Sequence, residues 1–373
     1  MTSAIRVAML SKACVVGAYQ GKLEQIASHD DIDLTVIVPP CWRDERGALS
    51  LERVRTRGYR LLVEPILFNG SYHFHFYPRL CRRLIALQPD ILHIDEEPYN
   101  LATWHALCLA QRQGARTLFF SWQNIKRRYP WPFSAMESYV LRQADAAIFG
   151  SAGAREVWRA KGYSGRDAVI PQFGIDPDLF PMRAEDARIE TGFSVGFVGR
   201  LVREKGVDVL LNALAELPEA VHLTVIGAGP ERAALGQLAA RLGISERVVF
   251  GPWLPSKEIP GRLRRLDALV LPSRTTPHWK EQFGRVLLEA MASGAPVVGA
   301  DCGEISNVIG SAGLLFPEGD SDALAAALRQ LMENGNLRQR VAQNGRARVL
   351  ARFTQAQVAA DTVSVYRRLA SAA

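Results

Sequence analysis

The chain has 373 residues, of which 48% are hydrophobic and 22% charged, and it carries a net charge of +7. That length exceeds one ordinary domain and suits two, and the composition excludes a disordered or fibrous chain. No apolar run reaches membrane-spanning length, the start lacks a signal peptide's basic and apolar segments, and five scattered cysteines without C-x-x-C spacing exclude a disulfide framework or zinc site.

In chain order, short Val/Ile/Leu/Phe-rich runs predict strands at 7–10, 34–38, 91–94, 117–120, 146–149 and 168–170 in the first half. In the second half they predict strands at 194–198, 222–226, 248–250, 268–271, 296–298 and 313–316. The runs are continuous rather than alternating, as parallel strands covered on both faces require. Helical stretches such as 206–217, 231–242 and 323–332 alternate with them, which implies right-handed crossovers and two doubly wound α/β sheets. A Pro-rich, polar stretch from Asp176 to Thr191 reads as a linker. The expected domains are therefore 1–182, 183–353 and a C-terminal helix, 354–373, crossing back to the first domain. Ligands of such sheets bind beyond the carboxyl ends of the strands, and two facing sheets would place the site in the cleft between them.

Four strand ends in the second half carry the sharpest chemistry. Gly196 to Gly206 reads as strand, glycine turn and helix, with Gly199 allowing a tight turn and Arg200 and Lys205 spaced to hold a diphosphate. The plainer reading is a turn with solvated cations. Gly227 and Gly229 open the next helix, where simple turn chemistry explains them equally well. The third segment, Lys280 to Val298, sets Glu281 just before a helix that begins near Gly284 and Glu289 inside it. A helix N-terminus attracts anions, and carboxylates accept from vicinal hydroxyls, so Glu281 suits a sugar and Glu289 a ribose. A merely solvated Glu289 fits poorly among Leu287, Leu288, Ala290 and Met291, and a buried carboxylate needs a partner. The fourth segment, Ala300 to Ile305, suits a minor role near the phosphates or acceptor.

These residues together resemble the family-four retaining glycosyltransferases of the GT-B fold. The resemblance covers most of the second domain and extends to Gln172 to Phe180 ahead of the linker. It implies that Arg200 and Lys205 bind the diphosphate, Glu281 the donor sugar and Glu289 the ribose. Gly199, Gly227, Gly229 and Arg285 would line the donor side, with Phe283 and Gly284 offering backbone amides. It implies a nucleoside-diphosphate sugar as donor substrate, UDP- or GDP-linked, with no cofactor and no metal. The acceptor hydroxyl would attack from the face the diphosphate leaves, while the protein positions substrates and stabilises the leaving charge.

The first half departs from the family pattern. Where many relatives carry a histidine, this chain reads Ser121-Trp122-Gln123-Asn124, and an amide cannot act as a strong base. The loop Gly17 to Gly21 lacks the family's double glycine, leaving Gly17, Gly21 and Lys22 as acceptor-side candidates beside Gln123 and Asn124. Asp95-Glu96-Glu97 reads as an acidic loop, and His93 and His105 as structural. Two stretches, 72–85 and 126–133, mix aromatic and basic residues and suit either a membrane interface with a lipid-linked acceptor or the rim of a sugar cleft.

The expected partners are thus a nucleotide sugar, a carbohydrate, lipid-linked or small-molecule acceptor, and the inner face of a membrane touched peripherally by a cytoplasmic protein. No nucleic-acid module accompanies the basic residues. The five cysteines are expected as buried free thiols. Two rival readings remain: a nucleotide-sugar epimerase, revealed by turnover without acceptor, and a catalytically silent nucleotide-sugar-binding protein, revealed by binding without turnover.

Overall fold

In the computed structural model, which describes residues 4–44, 47–182 and 192–371, strand β1 (Ile5–Leu10) buries residues on both faces. Val7 and Met9 enter one apolar layer, and Ala8 and Leu10 enter another. The same split recurs at Leu118 against Phe119 and at Ile148 against Phe149. A strand covered on both sides has no solvent face to populate with polar residues, which is why these runs read as continuous.

The chain divides into two compact units, 1–174 with 355–373, and 175–354. In the N-terminal unit, β1 is followed by α1 (Gly21–Ala27), β2 (Ile32–Val38), a hairpin of β3 (Cys41–Asp44) and β4 (Gly47–Ser50), and β5 (Arg60–Val63). Then come α2 (Leu80–Leu87), β6 (Ile91–Ile94), α3 (Leu101–Gln111), β7 (Arg116–Ser121), α4 (Phe133–Gln143), β8 (Ala146–Phe149), α5 (Ala152–Ala160) and β9 (Arg166–Val169). Seven strands form a parallel sheet in the order β5-β2-β1-β6-β7-β8-β9. The C-terminal helix Gln355–Ala370 belongs to this unit, where Val358, Val363 and Tyr366 join Leu23 and Ile26 of α1 in one apolar layer.

The C-terminal unit runs β10 (Phe193–Val198), α6 (Val207–Ala215), β11 (Val221–Ile226), α7 (Arg232–Arg241), β12 (Val248–Gly251), α8 (Ile259–Leu263) and β13 (Ala268–Leu271). It continues through α9 (Arg285–Ala292), β14 (Val297–Ala300), α10 (Ile305–Ile309), β15 (Leu314–Phe316), α11 (Ser321–Glu333) and α12 (Gly335–Arg352). Its six parallel strands lie in the order β12-β11-β10-β13-β14-β15. The order reverses beside β10, as it does beside β1 in the other unit, and such reversals open a crevice at the strands' carboxyl ends.

Three readings of the sequence need correction. The boundary expected at 182/183 falls at 174/175, because Ile175 donates its N–H to Phe353 O at 2.7 Å and Phe180 enters the second unit's core. The rest of the expected linker, 183–191, lies outside the described residues. Strands β3, β4 and β5 were not expected: β3 and β4 have four residues without an apolar run, and the apolar part of β5 is only Leu61-Leu62-Val63. Of the five free thiols only Cys14 and Cys302 are buried; Cys41 and Cys108 are half-buried and Cys81 is exposed.

Candidate active site

At the carboxyl edge of the C-terminal sheet, a tight turn follows β10. Gly199 N–H donates to Ile226 O at 3.0 Å and Leu201 N–H to Ala228 O at 2.8 Å, pinning the turn against the segment that leaves β11. That contact explains the glycine pair: a Cβ on Gly227 would stand 1.9 Å from Gly199 O, and one on Gly229 would stand 2.2 Å from Leu201 O. Arg200 is exposed on this turn, and Lys205 closes the single helical turn Arg203–Lys205 that leads into α6.

Lys205 and Glu281 meet. The ammonium lies 2.5 Å from Glu281 Oε2 and 5.0 Å from the centroid of the Trp279 ring. The Ser273 hydroxyl donates to the same carboxylate oxygen at 2.9 Å. Glu281 is buried, and two donors on one oxygen fix its rotamer and satisfy that oxygen. Its backbone carbonyl accepts from Glu304 N–H at 3.1 Å, which gives the Ala300–Ile305 turn a supporting role.

Helix α9 begins three residues after Glu281's immediate neighbours, capped by Gly284 at φ 73°. A side chain there would adopt a left-handed backbone and would set its Cβ 2.9 Å from Leu271 Cδ2. Glu289 lies one turn inside the helix, partly buried, with Arg285 Nε donating to Oε1 at 3.0 Å. Burial pushes the Glu289 carboxyl up from the usual range, and the Arg285 guanidinium opposes it. The partner expected for Glu289 is thus Arg285. The Phe283 ring packs 6.1 Å from Phe353 within the same unit. Trp253, after β12, is exposed.

The N-terminal unit holds a second polar cluster at the ends of β1, β6 and β7. Asp95-Glu96-Glu97 is no solvated acidic loop: its Asp95 and Glu96 side chains are buried, and all three carboxylates are partnered. Ser11 Oγ donates to Asp95 at 2.6 Å and Gln172 Nε2 at 3.0 Å, while Lys12 pairs with Glu96. Glu97 accepts from the Ser121 hydroxyl and from Trp122 N–H at 2.8 Å. Burial pushes Glu97 up to about 7 against those hydrogen bonds, and burial holds Lys12 down at about 8 against the nearby carboxylates. The buried imidazoles of His75 and His93 are held down at about 3, hence neutral. His93 Nδ1 sits 2.7 Å from Tyr366 Oη on the C-terminal helix, a structural pairing.

The acceptor-side candidates separate. Gln123 is buried, its Oε1 accepting from Tyr129 O–H at 2.7 Å while its Nε2 has no hydrogen-bond partner. Asn124 lies beside α5, its Cβ 3.6 Å from where a side chain on Gly153 would begin. Gly17 and Lys22 serve the fold of the first turn. Gly17 N–H donates to Glu52 Oε2 at 2.6 Å, and Lys22 is buried with its ammonium 5.3 Å from the Phe173 ring. Lys22, an acceptor-side candidate from the sequence, is thus buried rather than exposed. The sequence did not single out Ser273 and Lys12; their signal was position, each standing within two residues of a strand's end.

Among the described residues no group of three or more His, Cys, Asp or Glu side chains is gathered as a metal site would be, and no helix is long and apolar enough to cross a membrane.

Two doubly wound parallel sheets, the second bearing a cation-held carboxylate ahead of a glycine-capped helix, define the class of GT-B glycosyltransferases. The chain superposes with the structure of Anabaena HepE in complex with UDP and glucose at a TM-score of 0.69, 20% identity, and 98% and 100% coverage of the two chains. Residues 181–348 match the glycosyl transferases group 1 family and residues 20–172 match the glycosyl transferase 4-like domain. The chain is 33% identical over 317 residues to the lipopolysaccharide core biosynthesis glycosyltransferase LpsE of Rhizobium meliloti, covering 83% of this chain and 88% of that one. It is 31% identical over 325 residues to the phosphatidyl-myo-inositol mannosyltransferase of Mycobacterium leprae, covering 82% of each. The chain belongs to the group 1 glycosyl transferases.

Proposed function

We propose that this protein is a retaining hexosyltransferase that moves a sugar from a nucleoside-diphosphate sugar, UDP- or GDP-linked, to a hydroxyl acceptor. The observation that carries this reading is the Lys205–Glu281–Ser273 cluster beside the N-terminus of α9, with Glu289 eight residues after Glu281. In the reaction the acceptor oxygen bonds to the anomeric carbon as the bond to the diphosphate breaks. The acceptor proton passes to a phosphate oxygen of the leaving group, and the nucleoside diphosphate departs. Arg200, Lys205 and the α9 N-terminus offset the growing charge on the diphosphate, so no metal is required. Glu281 accepts from the sugar's hydroxyls and Glu289 from the ribose diol.

Acceptor binding falls to the N-terminal unit, where the unpartnered Gln123 amide and the Glu97 carboxyl stand at the ends of β7 and β6. The acceptor class is a glycan or lipid-linked sugar, reached by peripheral contact at the inner face of a membrane. This draws on the lipopolysaccharide and phosphatidylinositol named for the two relatives.

A thermal-shift panel of UDP, GDP, ADP and dTDP tests the donor site. A hundredfold excess over the dissociation constant stabilises by about 2.7 kcal/mol, a shift of several degrees. One nucleotide should shift the wild type and lose that effect in Glu289→Ala; no shift from any of the four would sink the donor assignment. The anomeric configuration of the product tests retention, and turnover in chelator tests metal independence. Binding without transfer is the second reading, favoured by the stretch Ser121–Asn124, which holds no histidine where the family resemblance leads one to expect it. A donor shift with no product across a broad acceptor panel would establish it.

A further inference from the structure

Lys205 has a second neighbour besides Glu281. The Trp279 ring is half-buried, and its face lies 5.0 Å from the ammonium. Carboxylate and ring both come from the segment 273–281 that follows β13, with Trp279 two residues before Glu281. The segment is fastened on either side of the ring. Arg274 N–H donates to Glu204 O at 2.8 Å, one residue before Lys205, and the Arg274 guanidinium pairs with Asp208 in the first turn of α6. Thr275 gives its N–H and its hydroxyl to the two carboxylate oxygens of Glu318, at 2.7 and 2.6 Å. Thr276 and Trp279 exchange backbone hydrogen bonds at 2.8 and 3.3 Å around Pro277 and His278. Beyond the ring, Glu281 O accepts from Glu304 N–H at 3.1 Å. These ties hold the ring at a fixed distance from the Lys205 turn.

Ring and carboxylate differ in what they leave available on the ammonium. Glu281 takes one of its N–H donors at 2.5 Å. An aromatic face attracts the charge through its quadrupole, and the donors turned away from it stay free for another acceptor. The lysine stem is flexible, so an ammonium that loses its carboxylate keeps its place only if something else holds it. A sugar whose hydroxyls take Glu281 removes that carboxylate, and the ring is the contact that remains.

We propose that Trp279 is a positioning residue of the donor site: its ring face holds the Lys205 ammonium for the terminal phosphate of a nucleoside diphosphate once the sugar has taken Glu281. The inference rests on the donor reading given above and adds to it a residue that acts through Lys205. The ring steadies the cation without competing for the phosphate, which a second carboxylate in its place would do.

The test is calorimetric titration of the full chain with UDP, GDP, ADP and dTDP and with the matching monophosphates. The diphosphate that binds the wild type binds Trp279→Leu about tenfold more weakly, within the range of a partly desolvated cation–π contact. Affinity for its monophosphate is unchanged. Trp279→Phe, which keeps a ring face, recovers most of the loss. In a Lys205→Ala background Trp279→Leu costs nothing further, because the two losses are one interaction. A ring that only packs the loop would weaken diphosphate and monophosphate alike and in both backgrounds. That result, or a Trp279→Leu that binds like wild type while Lys205→Ala does not, would overturn the role of Trp279 and leave the donor site standing. If Trp279→Leu fails to fold, ring-fluorinated tryptophan at position 279 replaces it. Fluorination keeps the shape and weakens the face, so diphosphate affinity should fall stepwise with each fluorine, and a flat series would overturn the proposal. A wild type that binds none of the four diphosphates, or a Lys205→Ala that binds like wild type, would overturn the donor reading and this inference together.

Discussion

Lys205 and Glu281 form a largely buried pair to which the proposed function gives a chemical role as well. The ammonium neutralises a buried carboxylate, and in the function proposed above a diphosphate would draw it away. If Lys205 stabilises the leaving group, Lys205→Ala should lower kcat by roughly 10²–10³. Initial rates at saturating donor measure this; a change confined to melting temperature would leave Lys205 a structural residue. Glu97 makes a second prediction at this scale. Burial raises its folded pKa to about 7, from the ordinary 4.5. Between those values the folded state keeps a proton that the unfolded chain has lost, so this group's contribution to stability is complete below about 4.5 and is lost as pH rises through about 7. The melting temperature of Glu97→Gln relative to wild type should therefore climb across that window and level off above it. His75 and His93 titrate alike in both proteins and cancel from the difference. A difference that is flat with pH would remove Glu97 from the buried, protonated state described here.

Among the elements, α9 depends on its cap. Gly284→Ala places a side chain in the left-handed region and against Leu271, which should destabilise the protein by about 1–2 kcal/mol. It should also weaken nucleotide binding by shifting the helix N-terminus; denaturant titration and nucleotide binding read the two effects separately. The C-terminal helix is held by a buried hydroxyl as well as by apolar packing. Tyr366→Phe strips His93 Nδ1 of its partner and should cost about 1–3 kcal/mol, seen as a lower denaturation midpoint at constant slope. An unchanged midpoint would mean that packing alone secures the helix.

The whole molecule has two units with separate cores, and the proposed donor residues all lie in one of them. Hydrogen exchange with saturating nucleotide should therefore slow chiefly in 192–354, since a ligand stabilises the cooperative unit that it binds. Protection confined to 4–174 would place the nucleotide in the wrong unit. Most of this architecture was legible in the sequence. Both sheets are buried on two faces, so twelve of their strands announce themselves as apolar runs, whereas four-residue β5 at a sheet edge and the β3–β4 hairpin do not. The positions of the proposed donor residues were legible for a related reason: a glycine or a charged residue just past an apolar run stands at a strand's carboxyl end.

By itself the sequence determined the two-sheet class, the strand ends that bear chemistry, and the spacing of Glu281 and Glu289. These are local properties, set by burial period and by which residue follows each strand. Only the tertiary structure decided which charges meet. Lys205 and Glu281 are 76 residues apart, and His93 and Tyr366 are 273 apart. It also decided that Lys22 and Glu96 are buried while Phe68 and Trp131 face water. Burial and pairing arise between distant segments, and no local pattern encodes which segments the packed sheets bring together.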